Sequence, residues 1–257
     1  MDPPEVLTSD RRERMFSAEE MSKFTDIYGG KDPQALPLYN TTDVARMLLV
    51  PRSTVRTWAF RVRGKDGLYR VPVIDAADRK NGLLSFENLV ELHVLSSLRR
   101  GHQIPLPTIR KAVRYLQTEL GTRHPLSSEQ MYTDGADLFV ERLGQLIGAS
   151  QEGQHALTEV LRPYLDRVER DHEKLLRLYP VTNVHGKVPD PESPRTIGID
   201  PRMRFGKPYV VECGIETEVF ADRWHAGESI EDMVKDFQIT REAVEEALRY
   251  ETLPRAA

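Results

Sequence analysis

Residues 39–58 read Tyr39-Asn-Thr-Thr-Asp-Val-Ala-Arg-Met-Leu-Leu-Val-Pro-Arg-Ser-Thr-Val-Arg-Thr-Trp58. This stretch has the pattern of two short helices joined by a tight turn. Thr41 or Thr42 is predicted to cap the first helix, because a side-chain oxygen there accepts hydrogen bonds from unpaired backbone N–H groups. Its apolar residues share one face at helical spacing: Val44, Ala45 and Leu48. Leu49-Val50-Pro51 predicts the turn, since proline suits the start of the next helix.

The second helix separates an apolar face from a polar one. Val55 and Trp58 are predicted to point inward. The outward positions hold Arg52, Ser53, Thr54, Arg56 and Thr57. Such side chains hydrogen-bond to phosphates and to base edges in a major groove. The sequence therefore predicts a helix-turn-helix that binds double-stranded DNA, with Thr42 as a further contact.

The charge around this motif supports the same interpretation. From Pro51 to Lys65 no residue is acidic, and the basic residues are Arg52, Arg56, Arg61, Arg63 and Lys65. The whole chain has a formal charge of -4, so this cluster differs from its background. A local basic cluster is typical of a nucleic-acid surface, and Arg61 and Arg63 join the candidate DNA contacts. The alternative is a solvated basic face on an ordinary helical hairpin.

Composition limits the other classes of protein. The chain has 257 residues, of which 39% are hydrophobic and 30% charged. No apolar run approaches the roughly 20 residues that cross a bilayer, and the amino terminus lacks a secretory pattern. We therefore expect a cytoplasmic protein that does not bind a membrane. The single cysteine, Cys213, excludes an internal disulfide and a cysteine-cluster metal site.

Motifs for catalysis or cofactor binding are absent from the sequence. It lacks a phosphate-binding loop, a dinucleotide-binding glycine motif, a His-Glu-x-x-His zinc motif and a serine nucleophile elbow. The seven histidines are scattered, and none lies at metal-ligand spacing from another. His93 falls on an apolar helix face and is interpreted as a core residue. We predict a protein that is not an enzyme and holds no cofactor or metal.

Residues 1–37 are predicted to form an N-terminal arm. Ser17 and Glu20 have the spacing of a capping box, which predicts a short helix from about Ser17 to Ile27. This helix either docks on a partner subunit or belongs to a loosely held extension.

A β wing is predicted after the helix-turn-helix. Apolar residues alternate over Leu68–Leu84, and Asn81-Gly82 favours a hairpin turn. Arg79 and Lys80 lie beside the tip and are candidate contacts to the DNA backbone.

Two helices are predicted next, from Ser85 to about Arg100 and from Pro105 to Gly121. The segments Tyr39-Asn-Thr-Thr-Asp-Val-Ala45, Ser53-Thr-Val-Arg-Thr-Trp58 and Leu98-Arg-Arg-Gly-His-Gln-Ile-Pro-Leu-Pro-Thr-Ile-Arg110 resemble the MerR-type winged DNA-binding domain. We assign this domain to residues 38–122. The resemblance implies a second helix in the major groove, a wing on the backbone, and a homodimer that binds two half-sites. The long antiparallel coiled-coil helix of that family does not follow directly here.

Residues 123–181 are predicted to contain a β hairpin and a linker or dimerisation helix. The hairpin is predicted over Gln130–Ala149. The helix is predicted over Gln154–Leu178, kinked or restarted at Pro163; it either pairs subunits or packs on its own domain. Residues 182–196 are rich in proline and glycine and are predicted to be a linker.

Residues 197–257 are predicted to form a three-helix, helix-turn-helix-like module with a short β hairpin. From Glu216 to Glu251 eleven residues are acidic and four are basic, a net charge of -7. Phosphates repel such a surface, so it suits a basic protein partner; the alternative is that these acids only keep the module soluble. The candidate partner-binding acids are Glu228, Glu231, Asp232, Glu242, Glu245 and Glu246.

Three segments carry a second resemblance: Ile199-Asp-Pro-Arg-Met-Arg-Phe-Gly-Lys-Pro208, Arg223-Trp-His-Ala-Gly-Glu-Ser-Ile-Glu-Asp-Met-Val-Lys-Asp-Phe237 and Ile239-Thr-Arg-Glu-Ala-Val-Glu-Glu-Ala-Leu248. They are similar to a small domain of VapB-type antitoxins, which are encoded beside PIN-like ribonuclease toxins. A Gly-Thr-Arg turn common in short members is replaced here by Cys213-Gly-Ile-Glu-Thr217. The resemblance implies a toxin-binding module.

The predicted fold class is mainly α with small β elements (α+β), a winged helix-turn-helix domain followed by the C-terminal module. The predicted function is an antitoxin of a type II toxin–antitoxin system. It would bind operator DNA as the repressor of its own operon and neutralise a PIN-domain ribonuclease toxin. Two alternatives remain: a stand-alone MerR-like regulator, whose residues 131–257 sense a small molecule or form the dimer, and an adaptor that binds only protein.

Overall fold

The computed structural model describes residues 28–64, 67–101, 104–171, 174–182, 184–185, 188–190 and 192–252. The helix predicted from Ser17 to Ile27 lies outside these residues. Within them the chain is mainly helical with small antiparallel sheets, so the predicted fold class is confirmed. One apolar core collects buried residues between Tyr39 and Ile199, and a second collects residues between Ile197 and Tyr250.

The first two helices, α1 and α2, cover Thr41–Met47 and Arg52–Ala59. The cap of α1 is Asn40, so the predicted cap at Thr41 or Thr42 is wrong. The Asn40 Oδ1 accepts hydrogen bonds from the backbone N–H of Thr42 at 2.7 Å and of Asp43 at 3.0 Å. The Asp43 carboxylate accepts the Asn40 N–H in return, which completes a capping box. Thr41 already belongs to the helix and is buried.

A β hairpin follows α2, earlier in the chain than predicted. Strands β1 (Val62–Arg63) and β2 (Tyr69–Arg70) pair antiparallel. The turn predicted at Asn81-Gly82 also forms, closed by backbone hydrogen bonds between Asp78 and Leu83 at 3.0 and 2.9 Å. The predicted wing over 68–84 is therefore replaced by two separate structures, the β1–β2 hairpin and the Asp78–Leu83 turn.

Two longer helices complete this part of the fold as predicted, α3 over Phe86–Gly101 and α4 over Leu106–Glu119. Ser85 caps α3, since its Oγ accepts the backbone N–H of Asn88 at 3.2 Å. His93 is 2% exposed, and its Nε2 lies 3.0 Å from the Tyr164 carbonyl oxygen. It is a core residue, as the sequence indicates.

The region predicted as a β hairpin over Gln130–Ala149 is helical instead. It contains α5 (Glu129–Tyr132) and α6 (Gly135–Ile147). The buried face of α6 includes Phe139, Val140 and Leu143. This spacing fits the period of a helix better than the alternation of a strand. Gly148 ends α6 in the left-handed conformation, with φ of 66°.

The predicted long helix over Gln154–Leu178 is also wrong in its second half. Helix α7 covers Gln151–Leu165 and continues through Pro163 in its last turn. Strands β3 (Val168–Asp171) and β4 (Lys174–Leu178) then form an antiparallel hairpin. The apolar side chains of this hairpin belong to the first core. The regularly spaced leucines that predicted one long helix are therefore divided between a helix and a hairpin.

The C-terminal part begins with a short hairpin, β5 and β6, over Val184–His185 and Val188–Pro189. A three-stranded antiparallel sheet follows in the order β7-β8-β9, over Ile197–Gly198, Tyr209–Val210 and Ile215–Glu216. Three helices follow, α8, α9 and α10, over Thr217–His225, Ile230–Phe237 and Arg241–Thr252. The predicted three-helix unit is thus present, packed on the second core.

The C-terminal module contacts the helix-turn-helix directly. Tyr39 is buried against Gly206, where any side chain would overlap the tyrosine hydroxyl group. Gly206 has φ of +75°, which also favours glycine. Arg46 of α1 forms an ion pair with Glu251 of α10. The two cores therefore meet at the first helix of the motif.

The Arg167 side chain links two chain segments, residues 179–180 and residues 193–194, by hydrogen bonds. Its side chain is 1% exposed and donates hydrogen bonds to the carbonyl oxygens of Tyr179 at 2.7 Å, Pro180 at 2.8 Å, Ser193 at 2.7 Å and Pro194 at 3.3 Å. A single planar guanidinium thus donates to carbonyl oxygens on two chain segments, and two of these acceptor residues, Pro180 and Ser193, are buried.

Replacing Arg167 by leucine is expected to lower the free energy of unfolding by about 3 kcal/mol or more, because several buried carbonyl oxygens lose their donors. Urea denaturation followed by circular dichroism measures this change. The control is Arg195→Leu, at an exposed neighbouring arginine, which should cost less than about 1 kcal/mol. Equal losses in both variants would contradict the assigned role of Arg167.

Candidate DNA-binding and partner-binding surfaces

Helix α2 presents its predicted polar face to solvent. Val55 and Trp58 are 0% and 3% exposed and fix the inward side of the helix. The opposite side carries the exposed residues Arg52, Ser53 and Arg56 and the half-buried Thr54 and Thr57. Thr42 is exposed in the first turn of α1. The structure therefore brings these predicted contact residues together on the helix-turn-helix.

Side chains on this surface differ in how they are held. The Arg52 Nε donates to the Thr41 hydroxyl oxygen at 3.1 Å, which orients the guanidinium. The Thr57 hydroxyl donates to the Ser53 carbonyl oxygen at 2.8 Å. Within the described part of the chain, the Arg56 side chain makes no hydrogen bond or ion pair, and the residue is exposed. Arg56 is thus the side chain of α2 most available to a ligand.

The β1–β2 hairpin is held against the end of α2. The Trp58 carbonyl oxygen accepts hydrogen bonds from the N–H groups of Val73 at 2.6 Å and Ile74 at 3.2 Å. These two residues follow the hairpin and so cannot extend its strand pairing, which is why the predicted 68–84 wing does not form. On the hairpin, the Arg61 guanidinium lies 4.4 Å from the Tyr69 ring centroid. The Arg63 Nε donates to the Gly67 carbonyl oxygen at 3.3 Å.

Further basic residues extend this surface beyond those predicted. Arg110 and Arg114 of α4 lie near Arg70 of β2. The pKa of Arg110 is lowered mainly by burial and further by the positive charges of Arg114 and Arg70. Leu106, at the start of α4, lines a shallow surface depression together with Ser53, Thr54, Thr57 and Trp58 of α2. In the sequence, the spacing of four residues between Arg110 and Arg114 indicates that both arginines lie on one helix face.

Arg79 and Lys80 lie on the Asp78–Leu83 turn, not on the β1–β2 hairpin. Arg79 forms an ion pair with Asp75, so part of its charge is neutralised. The Asp78 carboxylate accepts the backbone N–H groups of Lys80 and Asn81 at 3.0 and 2.9 Å. These hydrogen bonds, those from Asn81 above all, lower the pKa of Asp78. The role of Arg79 and Lys80 in DNA contact stays a prediction.

A buried polar network supports the loop that leads into this turn. The Asn88 side chain accepts the Ala77 N–H at 2.9 Å and donates to the Asp75 carbonyl oxygen at 2.8 Å. It also donates to the Glu91 carboxylate at 3.3 Å. The His124 Nδ1 lies 3.0 Å from the same carboxylate. Glu91 is 0% exposed, so its charge depends on these partners.

Both titratable groups of the network bind protons more tightly in the folded protein. Burial raises the pKa of Glu91 above its ordinary 4.5. Burial alone would lower the pKa of His124, but the hydrogen bond and charge of Glu91 outweigh it and raise that pKa above 6.5. The stability that His124 contributes is therefore complete below pH 6.5 and is lost as pH rises through its folded pKa.

We expect the free energy of unfolding of the wild type, minus that of His124→Gln, to fall as pH rises from the acidic range through neutrality. Denaturation curves recorded across this range measure the difference. His155→Gln is the control, because His155 is exposed on α7. A difference between wild type and His124→Gln that is independent of pH would contradict this coupling.

Several acids predicted to bind a partner are paired within the C-terminal module. Arg223 forms an ion pair with Glu228. Arg241 forms ion pairs with both Glu231 and Glu245, the latter at 2.8 Å. The net charge of the sequence segment therefore overstates the free negative charge of its surface.

The remaining candidates divide into exposed and buried side chains. The Asp232 carboxylate accepts the Ser229 hydroxyl at 2.6 Å. Glu242 is exposed and unpaired among the residues that the structure describes. Glu246 is only 3% exposed and pairs with Arg249, so this candidate partner-binding acid does not lie on the surface. The helical period puts it on the buried side of α10 with Ala243, Ala247 and Tyr250.

Two apolar residues of α8 are exposed and were not among the predicted site residues. Val219 and Trp224 are 38% and 46% exposed. Asp222, between them in the sequence, is also exposed. An exposed tryptophan is a frequent anchor of protein interfaces, but sequence alone did not show that this one lies outside the core.

The fold and its exposed basic face define a helix-turn-helix protein with an appended C-terminal module. Two families match parts of the chain: residues 37–113 match one described as "Putative DNA-binding HTH domain", and residues 197–250 match one described as "Protein of unknown function (DUF433)".

Relatives match most of the chain. "Putative antitoxin VapB45" from Mycobacterium tuberculosis (strain ATCC 25618 / H37Rv) is 26% identical over 233 residues, which cover 83% of this chain and 93% of that protein. The X-ray crystal structure of Rv2018 from Mycobacterium tuberculosis is similar with a TM-score of 0.62 and 23% identity, covering 83% of this chain and 98% of that chain. The structural likeness establishes a shared fold.

The described residues contain neither a membrane-spanning helix nor a cluster of metal ligands. Over those residues, no helix is both long and apolar enough to cross a membrane. The same part of the chain contains no group of three or more histidine, cysteine, aspartate or glutamate side chains that could hold a metal ion.

Proposed function

We propose that this chain is a non-enzymatic, homodimeric antitoxin. Its helix-turn-helix binds operator DNA and represses its own operon, and its C-terminal module neutralises a PIN-like ribonuclease toxin. The observation that carries the proposal is the exposed, acid-free face of α2 beside a basic hairpin. The match of residues 37–113 to a DNA-binding family and the antitoxin relative both support it.

The DNA-binding half of the proposal relies on α2 as the recognition helix. Arg52, Ser53 and Arg56 face outward together, and such side chains reach phosphates and base edges when a helix enters the major groove. Arg52 is already oriented by Thr41, so less conformational freedom is lost when it binds. Arginines of the hairpin and α4 extend positive charge along the same side.

Replacing Arg56 by alanine is expected to weaken binding to the DNA upstream of the coding sequence. The loss is about 1–3 kcal/mol if the guanidinium makes a bidentate base contact. If Arg56 contacts a phosphate instead, the slope of log affinity against log salt concentration becomes smaller in magnitude by about one. Fluorescence anisotropy at several salt concentrations separates the two cases.

Lys235→Ala is the control for this experiment, because Lys235 is an exposed basic residue of the acidic module. It should leave affinity and salt dependence unchanged. If Arg56→Ala behaves like this control, α2 is not the recognition helix.

The partner-binding half of the proposal relies on the exposed surface of the module. Val219 and Trp224 offer an apolar anchor, and Asp222 and Glu242 carry exposed negative charge. An apolar centre with charges around it is typical of a protein interface. The resemblance to VapB-type antitoxins implies a nuclease with a basic RNA-binding cleft, which such a surface complements.

Co-expression with the product of the neighbouring open reading frame tests this half. Native mass spectrometry should detect a complex that contains two copies of this chain and a small nuclease. Full-length variants are required, since Ile199 belongs to the first core and a cut before it would disturb that core. A homodimer without a partner would favour the stand-alone regulator.

The double variant Asp222→Lys/Glu242→Lys is expected to weaken the complex roughly tenfold or more, because like charges then face a basic partner. Its control is Glu119→Lys, at an exposed acid on α4. Retention of the complex in both variants would place the toxin interface elsewhere on the chain.

A further inference from the structure

We propose that residues 17–27 of this chain bind as an amphipathic helix across the loop of residues 201–206, where they cover the exposed ring of Phe205. The occupant of this surface is therefore the chain's own N-terminal arm, which docks on the C-terminal module. This inference goes beyond the proposed function, because the contact involves neither DNA nor a toxin.

Phe205 is held outward by its backbone. It is 69% exposed, the highest value among the large hydrophobic side chains that the structure describes. Arg204, Phe205 and Gly206 have φ of 51°, 53° and 75°, and residues with a Cβ atom seldom adopt this left-handed region. Tyr39 fills the space against Gly206. The loop therefore presents an apolar ring in an unfavourable backbone conformation, which indicates a functional contact.

Tyr28 already contacts this ring. The two ring centroids are 6.3 Å apart and the ring planes meet edge-on at 81°. The Tyr28 hydroxyl also donates to the Pro201 carbonyl oxygen at 2.6 Å. Because Phe205 stays 69% exposed, Tyr28 covers only part of it. The described residues begin at Tyr28, so the preceding residues join the chain next to the Phe205 ring.

The segment that follows Tyr28 fixes the position of this junction. Gln34 is 9% exposed, and its side-chain oxygen accepts the Leu175 N–H at 3.1 Å. The Gln34 carbonyl oxygen accepts the Glu87 N–H at 3.2 Å. Tyr28 is thus attached to the module and Gln34 to the first part of the fold. The arm therefore leaves the described structure from a defined position beside Phe205.

The local sequence predicts a helix that ends at this junction. Ser17 and Glu20 have the spacing of a capping box, which predicts its start. Gly29, directly after Tyr28, has φ of 61°, the left-handed conformation that commonly ends a helix. Signals for a start and for an end thus lie on either side of the proposed helix.

The proposed helix has an apolar face that includes Tyr28. Met21, Phe24 and Tyr28 are separated by three and four residues, so they share one side of a helix. Because Tyr28 touches Phe205, that side faces the ring, and Phe24 lies one turn before Tyr28. The opposite side is polar and consists of Glu19, Ser22, Lys23 and Asp26. The arm therefore has the amphipathic pattern that covering the ring requires.

Charge and chain connection favour the arm of the same chain over another occupant. Residues 17–27 contain three acidic residues and one basic residue, a net charge of -2. Arg204, next to Phe205, is exposed and forms no ion pair with any residue that the structure describes, so opposite charges meet. Three residues separate Phe24 from Tyr28, which gives the arm a high effective concentration at the loop. A second copy or another protein would have to displace it.

Trypsin cleavage of the full-length protein, followed by mass spectrometry, tests this contact without DNA or a toxin. Arg14 lies before the proposed helix and Lys23 within it. Each cleavage rate is divided by the rate at the same site in a synthetic peptide of residues 1–30. In the wild type, this relative rate is expected to be about fivefold or more lower at Lys23 than at Arg14, because a bound helix must open before it is cut.

Phe205→Asn removes the ring and tolerates the left-handed backbone. It is expected to raise the relative rate at Lys23 about fivefold and to leave the rate at Arg14 unchanged. Leu68→Ser is the matched control, because Leu68 is another strongly exposed apolar residue, at 64%. This control should change neither rate.

Two variants of the arm test the same contact from the other side. Met21→Ser weakens the apolar face and should raise the relative rate at Lys23, as Phe205→Asn does. Glu19→Gln alters the polar face and should leave that rate unchanged. Because Met21→Ser keeps all described residues, it tests the contact even if Phe205→Asn does not fold.

Three results would overturn the inference. If the relative rates at Lys23 and Arg14 are equal in the wild type, residues 17–27 do not bind to the loop. If Lys23 is protected but neither Phe205→Asn nor Met21→Ser changes its rate, the arm binds elsewhere. If protection of Lys23 increases with protein concentration, the arm binds to a second copy of the chain. The proposed function is tested independently of these results by Arg56→Ala.

Discussion

Burial of one side of α2 is the constraint on which the candidate DNA surface depends. Val55 and Trp58 are almost fully enclosed in the first core, and with 3.6 residues per turn their burial forces Arg52, Ser53 and Arg56 outward. Trp58 also fixes the hairpin, since its carbonyl oxygen accepts the N–H groups of two residues beyond β2. Trp58 therefore contributes to the rotation of the helix through its buried ring and to the position of the neighbouring hairpin through its backbone carbonyl group.

The C-terminal module is connected to this surface by close packing. Gly206 receives the buried Tyr39, and Arg46 of α1 is paired with Glu251 of α10. The module's exposed residues on α8 and α10 thus belong to the same packed structure as the helix-turn-helix. Internal ion pairs through Arg223 and Arg241 leave fewer free acids than the charge count implies. Exposed Trp224 consequently has a larger share in the proposed partner surface than charge alone suggests.

Sequence patterns succeeded where local interactions decide the structure. The helix-turn-helix, the helix after Ser85 and the three C-terminal helices each bury an apolar face at helical spacing. Patterns failed between Gln130 and Leu178, where short apolar runs fit a helix and a strand almost equally well. There the choice came from packing: α6 and α7 bury their faces in the first core, and the β3–β4 hairpin covers the space that remains.

The sequence by itself determined which residues of α2 face outward and that the chain joins a basic motif to an acidic module, because helical period and formal charge are local properties. Only the tertiary structure decided that Arg70, Arg110 and Arg114 approach one another. It also decided that Leu68, Tyr69 and Val71 lie outside the core. These properties depend on contacts between residues far apart in the chain, where side-chain type and spacing carry no information about the partner.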